Sequence, residues 1–143
     1  MIELADVNAL VTLAWPNHVH HAQARAWVAE VGDSGWATCP LTEAGFVRVS
    51  SNRRVIRDAR GVAESVGVLR ALRSAGRHQF WADDVSPADC EEVDFAALSG
   101  YRQITDAMLV ALAGRRTGTL VTFDGAAAKI GRSCGVEIRL LGL

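Results

Sequence analysis

The sequence predicts an α/β fold, with three α/β/α layers built around a mainly parallel sheet of about four to five strands. Three observations carry this. Short strand-like runs alternate along the chain with longer helix-periodic runs. One strand-like run, "GTLVTFD", is apolar enough for a strand buried on both faces, as in sheets covered by helices. The chain has 143 residues, half of them hydrophobic, so one domain spanning 1–143 can bury a core without disulfide staples.

Each element has its own signal. "MIELAD" reads as a short strand ending at Asp6, and "VNALVTLAW" as a helix stopped by Pro16. "HVHHAQARAWVAEVG" is helix-periodic, with Val19, Ala22, Ala26, Trp27 and Val31 expected on the buried stripe and Gly32 closing it. "GWATCP" is a second strand. "LTEAGFVRVSS" starts a helix with Leu41, Phe46 and Val49 apolar, and residues 61–76 form another helix ending at a glycine. "HQFWADD" is a strand. "QITDAMLVALA" is a buried helix running to about Gly114, "GTLVTFD" a buried strand and "VEIRLLGL" a last one. The expected order is β-α-α-β-α-α-α-β-α-β-α-β, with right-handed crossovers.

Three cysteines, Cys39, Cys90 and Cys134, are odd in number and widely spaced, so they read as free thiols of a reducing, cytoplasmic setting. "MIELADVNAL" lacks the basic start of a signal peptide, and no apolar run approaches a membrane span. The net charge of −1 does not advertise nucleic-acid binding, but its distribution is polarised. Residues 48–77 hold Arg48, Arg53, Arg54, Arg57, Arg60, Arg70, Arg73 and Arg77 against only Asp58 and Glu64. "DDVSPADCEEVD", residues 83–94, is purely acidic in charge and reads as a solvated helix face or loop.

Four carboxylates meet apolar runs at predicted element ends. Asp6 and Asp124 end strands; Glu43 and Asp106 sit in first helical turns. Ligands of open parallel sheets bind outside the carboxyl ends of the strands, so all four are expected at one rim. Singly, each has a structural explanation: Thr105 capping its helix with Asp106 favouring the dipole, Thr42-Glu43 doing the same, an Asp124-Gly125 turn, an Asp6–Asn8 cap. Together they would repel one another unless a counter-charge were present. Lys129 is the only lysine, and oxygen-only ligation suits Mg²⁺ or Mn²⁺.

The segments "LADVNALV", "LTEAGFVRVSSNRRV", "HQFWADD", "GYRQITDAMLVALA" and "LVTFDGA", in this order and spacing, resemble PIN-domain ribonucleases and, more narrowly, the VapC toxins of bacterial toxin–antitoxin pairs. The resemblance covers nearly the whole chain. It implies a PIN-like fold and a Mg²⁺-dependent endoribonuclease, with Mn²⁺ as alternative, leaving a 5′-phosphate and a 3′-hydroxyl. The family's acids fall on Asp6, Glu43, Asp106 and Asp124, of which Asp6 and Asp106 are the surest metal ligands. Asn8, Thr105 and Thr122 lie beside them and are expected to orient them or a bound water. Arg48, Arg53, Arg54, Arg102 and Arg115 are expected to hold RNA backbone; Trp15, Trp81 and Tyr101 are candidate stacking faces, with burial in the core the competing reading. The resemblance further implies a homodimer, a small VapB-like antitoxin covering the acidic pocket, promoter DNA bound only through that antitoxin, a transfer- or ribosomal-RNA loop as substrate, and no membrane.

Other readings are weaker. "NHVHH" brings His18, His20 and His21 together, but no matching Cys or His cluster supports zinc, so these residues are expected to open the second helix and face solvent or a partner. "SPADCEEVD" lacks the ligand pattern of an EF-hand. A receiver domain or aspartate-nucleophile phosphatase would need a D-x-D or acidic pair where this chain has "ADVN". A non-toxin PIN nuclease, or a silent PIN module that only binds RNA or protein, remains as the alternative to a toxin.

Overall fold

A computed structural model describes residues 1–142. Its elements run β1 (Glu3–Ala5), α1 (Val7–Ala14), α2 (His21–Val31), β2 (Trp36–Thr38), α3 (Pro40–Ser50), α4 (Val62–Leu72), β3 (His78–Phe80), α5 (Ile104–Arg115), β4 (Thr119–Thr122), α6 (Gly125–Ser133) and β5 (Ile138–Leu140). Short 3₁₀ turns at Phe95–Ala97 and Tyr101–Gln103 lead into α5. The final residue of the predicted last strand lies outside the described residues.

All strand pairings are parallel, in the order β3-β2-β1-β4-β5. The chain winds outward from β1 to β2 and β3, then returns to the other side of β1 as β4 and β5. The switch point therefore lies between β1 and β4, where Ala5 pairs with Val121. A crevice outside the carboxyl ends of these two strands is the place for a ligand in such a sheet.

Alternation along the strands sorts the core into two faces. Leu4, Ala37 and Leu120 point to one layer, with Leu109, Val110 and Leu112 of α5 and Ile130 of α6. Ala5, Trp36 and Val121 point to the other, with Leu10 of α1, Trp27 of α2 and Phe46 of α3. Trp27 and Trp36 meet edge to face at 5.9 Å. Gly45 lets α3 approach α1 closely: a Cβ there would stand 2.5 Å from Val7 Cγ2.

Two expectations are corrected. The second helix begins at His21, because His18 to His21 close turns first, with His21 N donating to His18 O at 3.0 Å. Trp27 and Val31 are buried as expected, joined by Ala24, while Val19, Ala22 and Ala26 are exposed. Between β2 and β3 there are two helices, not three. Residues 51–60 form turns instead, with the Asn52 side chain accepting from Arg54 N at 3.0 Å and no apolar stripe to bury.

Candidate active site at the sheet switch point

Asp6 leaves β1 and caps α1, its Oδ1 accepting from Val7 N at 2.7 Å. Asp124 leaves β4 and caps α6, its Oδ1 accepting from Ala126 N at 2.8 Å. The cap predicted at Asp6 is thus present, the turn predicted at Asp124-Gly125 is instead the N-cap of α6, and both carboxylates face the switch point. Thr122, the last residue of β4 and fully buried, links them. Its Oγ1 donates to Asp6 Oδ2 at 2.8 Å, and accepts from Asp124 N at 3.0 Å and Asn8 Nδ2 at 3.3 Å. Asn8 Oδ1 in turn accepts from Phe123 N at 3.1 Å. One threonine hydroxyl and one amide therefore pin the ends of β1, α1 and β4 together.

Asp106 enters from the opposite layer, in the first turn of α5. With Asp6 and Asp124 it lines a cavity of about 290 Å³ that follows one face of α1 past Asn8 and Thr12 to His18. Burial, and then the charges of Asp6 and Asp124, push the Asp106 carboxyl up to about 6. Burial likewise raises Asp6, against the lowering effect of its bonds from Thr122 and Val7. Among the described residues none of the three forms an ion pair with arginine, lysine or histidine. The cup is an uncompensated concentration of negative charge. The three side chains share it without closing on a single point: among the described residues no three acids, histidines or cysteines form a ready-made cage. The donors are nonetheless all hard oxygens with room between them for water, which is what Mg²⁺ or Mn²⁺ requires.

A family model described as "PIN domain" matches residues 4–133. Ribonuclease VapC38 of Mycobacterium tuberculosis (strain ATCC 25618 / H37Rv) is 57% identical over 121 residues, covering 85% of this chain and 84% of that protein. This chain belongs to the VapC family of PIN-domain proteins. Ribonuclease VapC39 of the same strain is 46% identical over 138 residues, covering 96% of this chain and 99% of that protein. Among solved structures, VapBC2 from Rickettsia felis, bound to a fragment of its promoter DNA, superposes with a TM-score of 0.65 at 13% identity, over 98% of each chain. Mycobacterium tuberculosis VapC20, a toxin that cleaves the sarcin–ricin loop, superposes with a TM-score of 0.60 at 15% identity, over 90% of this chain and 95% of that one. At these identities the two structures speak for the fold.

Several expected site residues of this VapC chain stand elsewhere. Glu43 does not line the cavity. It accepts from Thr38 Oγ1 and lies 3.5 Å from Arg73 Nη1, while Thr38 Oγ1 is also 2.8 Å from His78 Nε2. The reason is strand order: Glu43 follows β2, which lies on the far side of β1 from β4, about 10 Å from it at the usual strand spacing. Burial, then Arg73, lowers the neighbouring His78 pKa. Thr105 is exposed and caps nothing, because α5 continues directly from the preceding 3₁₀ turn with Gln103 at its N-cap. Arg115 is at the opposite end of α5 from Asp106, bonded to Glu92 at 3.0 Å, and so leaves the set of RNA-facing residues. Trp81 is buried and offers no stacking face, whereas Tyr101 is 80% exposed and Arg60 covers the Trp15 ring at 4.1 Å.

Arg48, Arg53, Arg54 and Arg102 are exposed, as a backbone-binding role requires. Sequence reasoning missed His18, which lines the acidic cavity. Thr122→Val keeps the shape of the linking residue and removes its three bonds. The expected outcome is a folded protein whose RNA-cleaving activity falls about tenfold or more, because Asp6 and Asp124 lose the bonds that fix them relative to each other; steady-state cleavage rates and thermal melting measure the two effects.

Proposed function

We propose that this chain is a divalent-metal-dependent endoribonuclease and the toxin of a toxin–antitoxin pair. The observation that carries the reading is the uncompensated aspartate trio at the switch point, in a chain whose relatives are named ribonucleases. Asp6 and Asp106 are the residues assigned to hold the cation, Mg²⁺ first and Mn²⁺ second, with Asp124 completing the acidic wall and Glu43 beside it on the β2 flank. When bound, the metal supplies Lewis-acid polarisation of a phosphate and an acidified water. The protein's own contribution is placement. Thr122 and Asn8 fix Asp6 and Asp124 relative to each other, and the Thr12 carbonyl receives His21 Nδ1 at 2.9 Å, tying the loop after α1 to that helix. Arg48, Arg53, Arg54 and Arg102 are assigned to the RNA backbone flanking the cut.

The same charge suits neutralisation by a small antitoxin that lays a basic segment, an arginine foremost, across the cup. A homodimer, promoter binding through the antitoxin alone and a cytoplasmic setting complete the proposal. Among the described residues no helix is long and apolar enough to cross a membrane.

Purified protein incubated with bulk transfer RNA or ribosomal RNA is expected to cut internally in Mg²⁺ or Mn²⁺ and to stop in EDTA. Products should carry 5′-phosphates, read by their ligation to an adaptor without prior phosphorylation. Cleavage that persists in EDTA would remove the metal mechanism. Growth arrest on expression, relieved by an adjacent small gene, tests the toxin half separately.

A further inference from the structure

We infer that His18 is a substrate-binding residue of this site, donating an Nε2–H hydrogen bond to a backbone phosphate next to the one that is cut. The inference rests on the endoribonuclease reading and extends it to a group outside the acidic set. His18 lines the aspartate cavity. It also lines a second cavity of about 350 Å³ that shares Val11 and Val49 with the first and continues past Trp15 and Asn17 to Arg57. A strand leaving the acid cup along α1 passes His18 on its way into that second space.

The imidazole is held for this role. His18 Nδ1 accepts from His20 N at 3.0 Å, which places the proton of the neutral ring on Nε2. Nε2 has no protein partner among the described residues. The His20 ring stands 5.9 Å away and itself stacks on Phe123 at 5.5 Å, the residue whose N–H is held by Asn8. His21 anchors the next position to the Thr12 carbonyl. The three histidines thus divide the work: two secure the loop against α1 and β4, and the third, exposed, presents a donor. The donor is needed because the three carboxylates of the cup are acceptors only, the Asn8 amide and Thr12 hydroxyl are engaged with Thr122 and the Asn8 carbonyl, and a polyanion gains nothing from carboxylates that no cation covers.

The test compares His18→Ala and His18→Gln. Glutamine restores an N–H donor. In RNA cleavage with Mg²⁺, His18→Ala is expected to raise KM about tenfold, the usual cost of a hydrogen bond to a charged group, with kcat within about twofold. His18→Gln should recover most of the loss, and both variants should melt with wild type because the side chain is exposed. A second arm measures binding of the same RNA, in Mg²⁺, by Asp106→Asn protein with and without His18→Ala; about tenfold weaker binding is expected. Unchanged KM and affinity in His18→Ala, a loss confined to kcat, or equal impairment of Ala and Gln would each overturn the inference and leave the nuclease reading intact. Wild-type protein that cuts no RNA would overturn the nuclease reading, and the binding arm still decides on His18; absence of RNA binding in both proteins would overturn the inference as well.

Discussion

Asp6→Asn and Asp106→Asn are each expected to abolish RNA cleavage, by about 10³-fold or more, with the fold preserved. Each substitution keeps the side-chain shape and removes the negative oxygen that a hard cation requires. A bound metal contributes several kcal/mol of charge stabilisation to phosphoryl chemistry, and each 1.36 kcal/mol is about tenfold in rate. Asp6 is the stricter case, because its Oδ1 also caps α1 and its Oδ2 receives Thr122. Asparagine keeps one acceptor for those two donors, so Asp6→Asn forfeits about 1 kcal/mol, the typical value of an N-cap, which offsets the relief of a buried charge. Asp106 caps nothing, and its substitution isolates the charge. Arg115→Ala is the control: its guanidinium pairs with Glu92 at the far end of α5, and cleavage should stay within about twofold of wild type. The readout is the initial rate of RNA cleavage beside far-ultraviolet circular dichroism. Wild-type rates in either aspartate variant would refute the site.

The sheet was legible because its signals are local. A parallel strand buried on both faces shows as a short apolar run, and the aspartates that end β1 and β4 sit immediately after such runs in the sequence. Strand order is not local. Nothing in "ATCPLTEAG" says that β2 pairs with β1 on the side away from β4, and this is what separates Glu43 from the Asp6–Asp124 pair and leaves it to Arg73. Helix polarity explains the fate of the arginines: Arg102 and Arg115 bracket the same helix, so only one of them can share the rim with Asp106. The start of α2 was hidden for a different reason. Trp27 and Val31 hold the predicted stripe, but its N-terminal part fails because residues before His21 form turns, and the same turn carries His18 to the cavity. Thr122 was recognisable beside Asp124, but its bonds to Asp6 and Asn8 span more than a hundred residues and exist only once β1 and β4 pair.

Metal-free protein is expected to lose stability as pH rises from about 4 to 6, and Asp106→Asn is expected to cancel part of that loss. The sign follows from Asp106, whose carboxyl is held up to about 6 against an ordinary 3.8 by burial and by the charges of Asp6 and Asp124. Between these values the folded state keeps a proton that the unfolded chain has released, so folding is favoured at the low end and the advantage fades as pH passes through the folded pKa. A two-unit shift corresponds to about 3 kcal/mol, and screening of this half-exposed group reduces it to about 2 kcal/mol. Asp6, raised in the same direction, adds to the slope. Glu92 opposes it only at the bottom of this window: Arg115 lowers its carboxyl to about 2, so its stabilising contribution grows up to its ordinary value of 4.5 and is nearly constant above it. At pH 7 the Asp106→Asn variant should therefore be about 2 kcal/mol more stable than wild type in EDTA, and less sensitive to pH between 4 and 6. Addition of Mg²⁺ should narrow the gap by stabilising wild type, because a cation relieves the repulsion that asparagine has removed. Urea unfolding at pH 4, 5, 6 and 7, with EDTA or Mg²⁺, measures all three effects. A variant no more stable than wild type at pH 7 would mean that Asp106 is not strained by its neighbours. A variant that is both more stable and inactive would show that the fold carries the cost of this repulsion for the sake of the site.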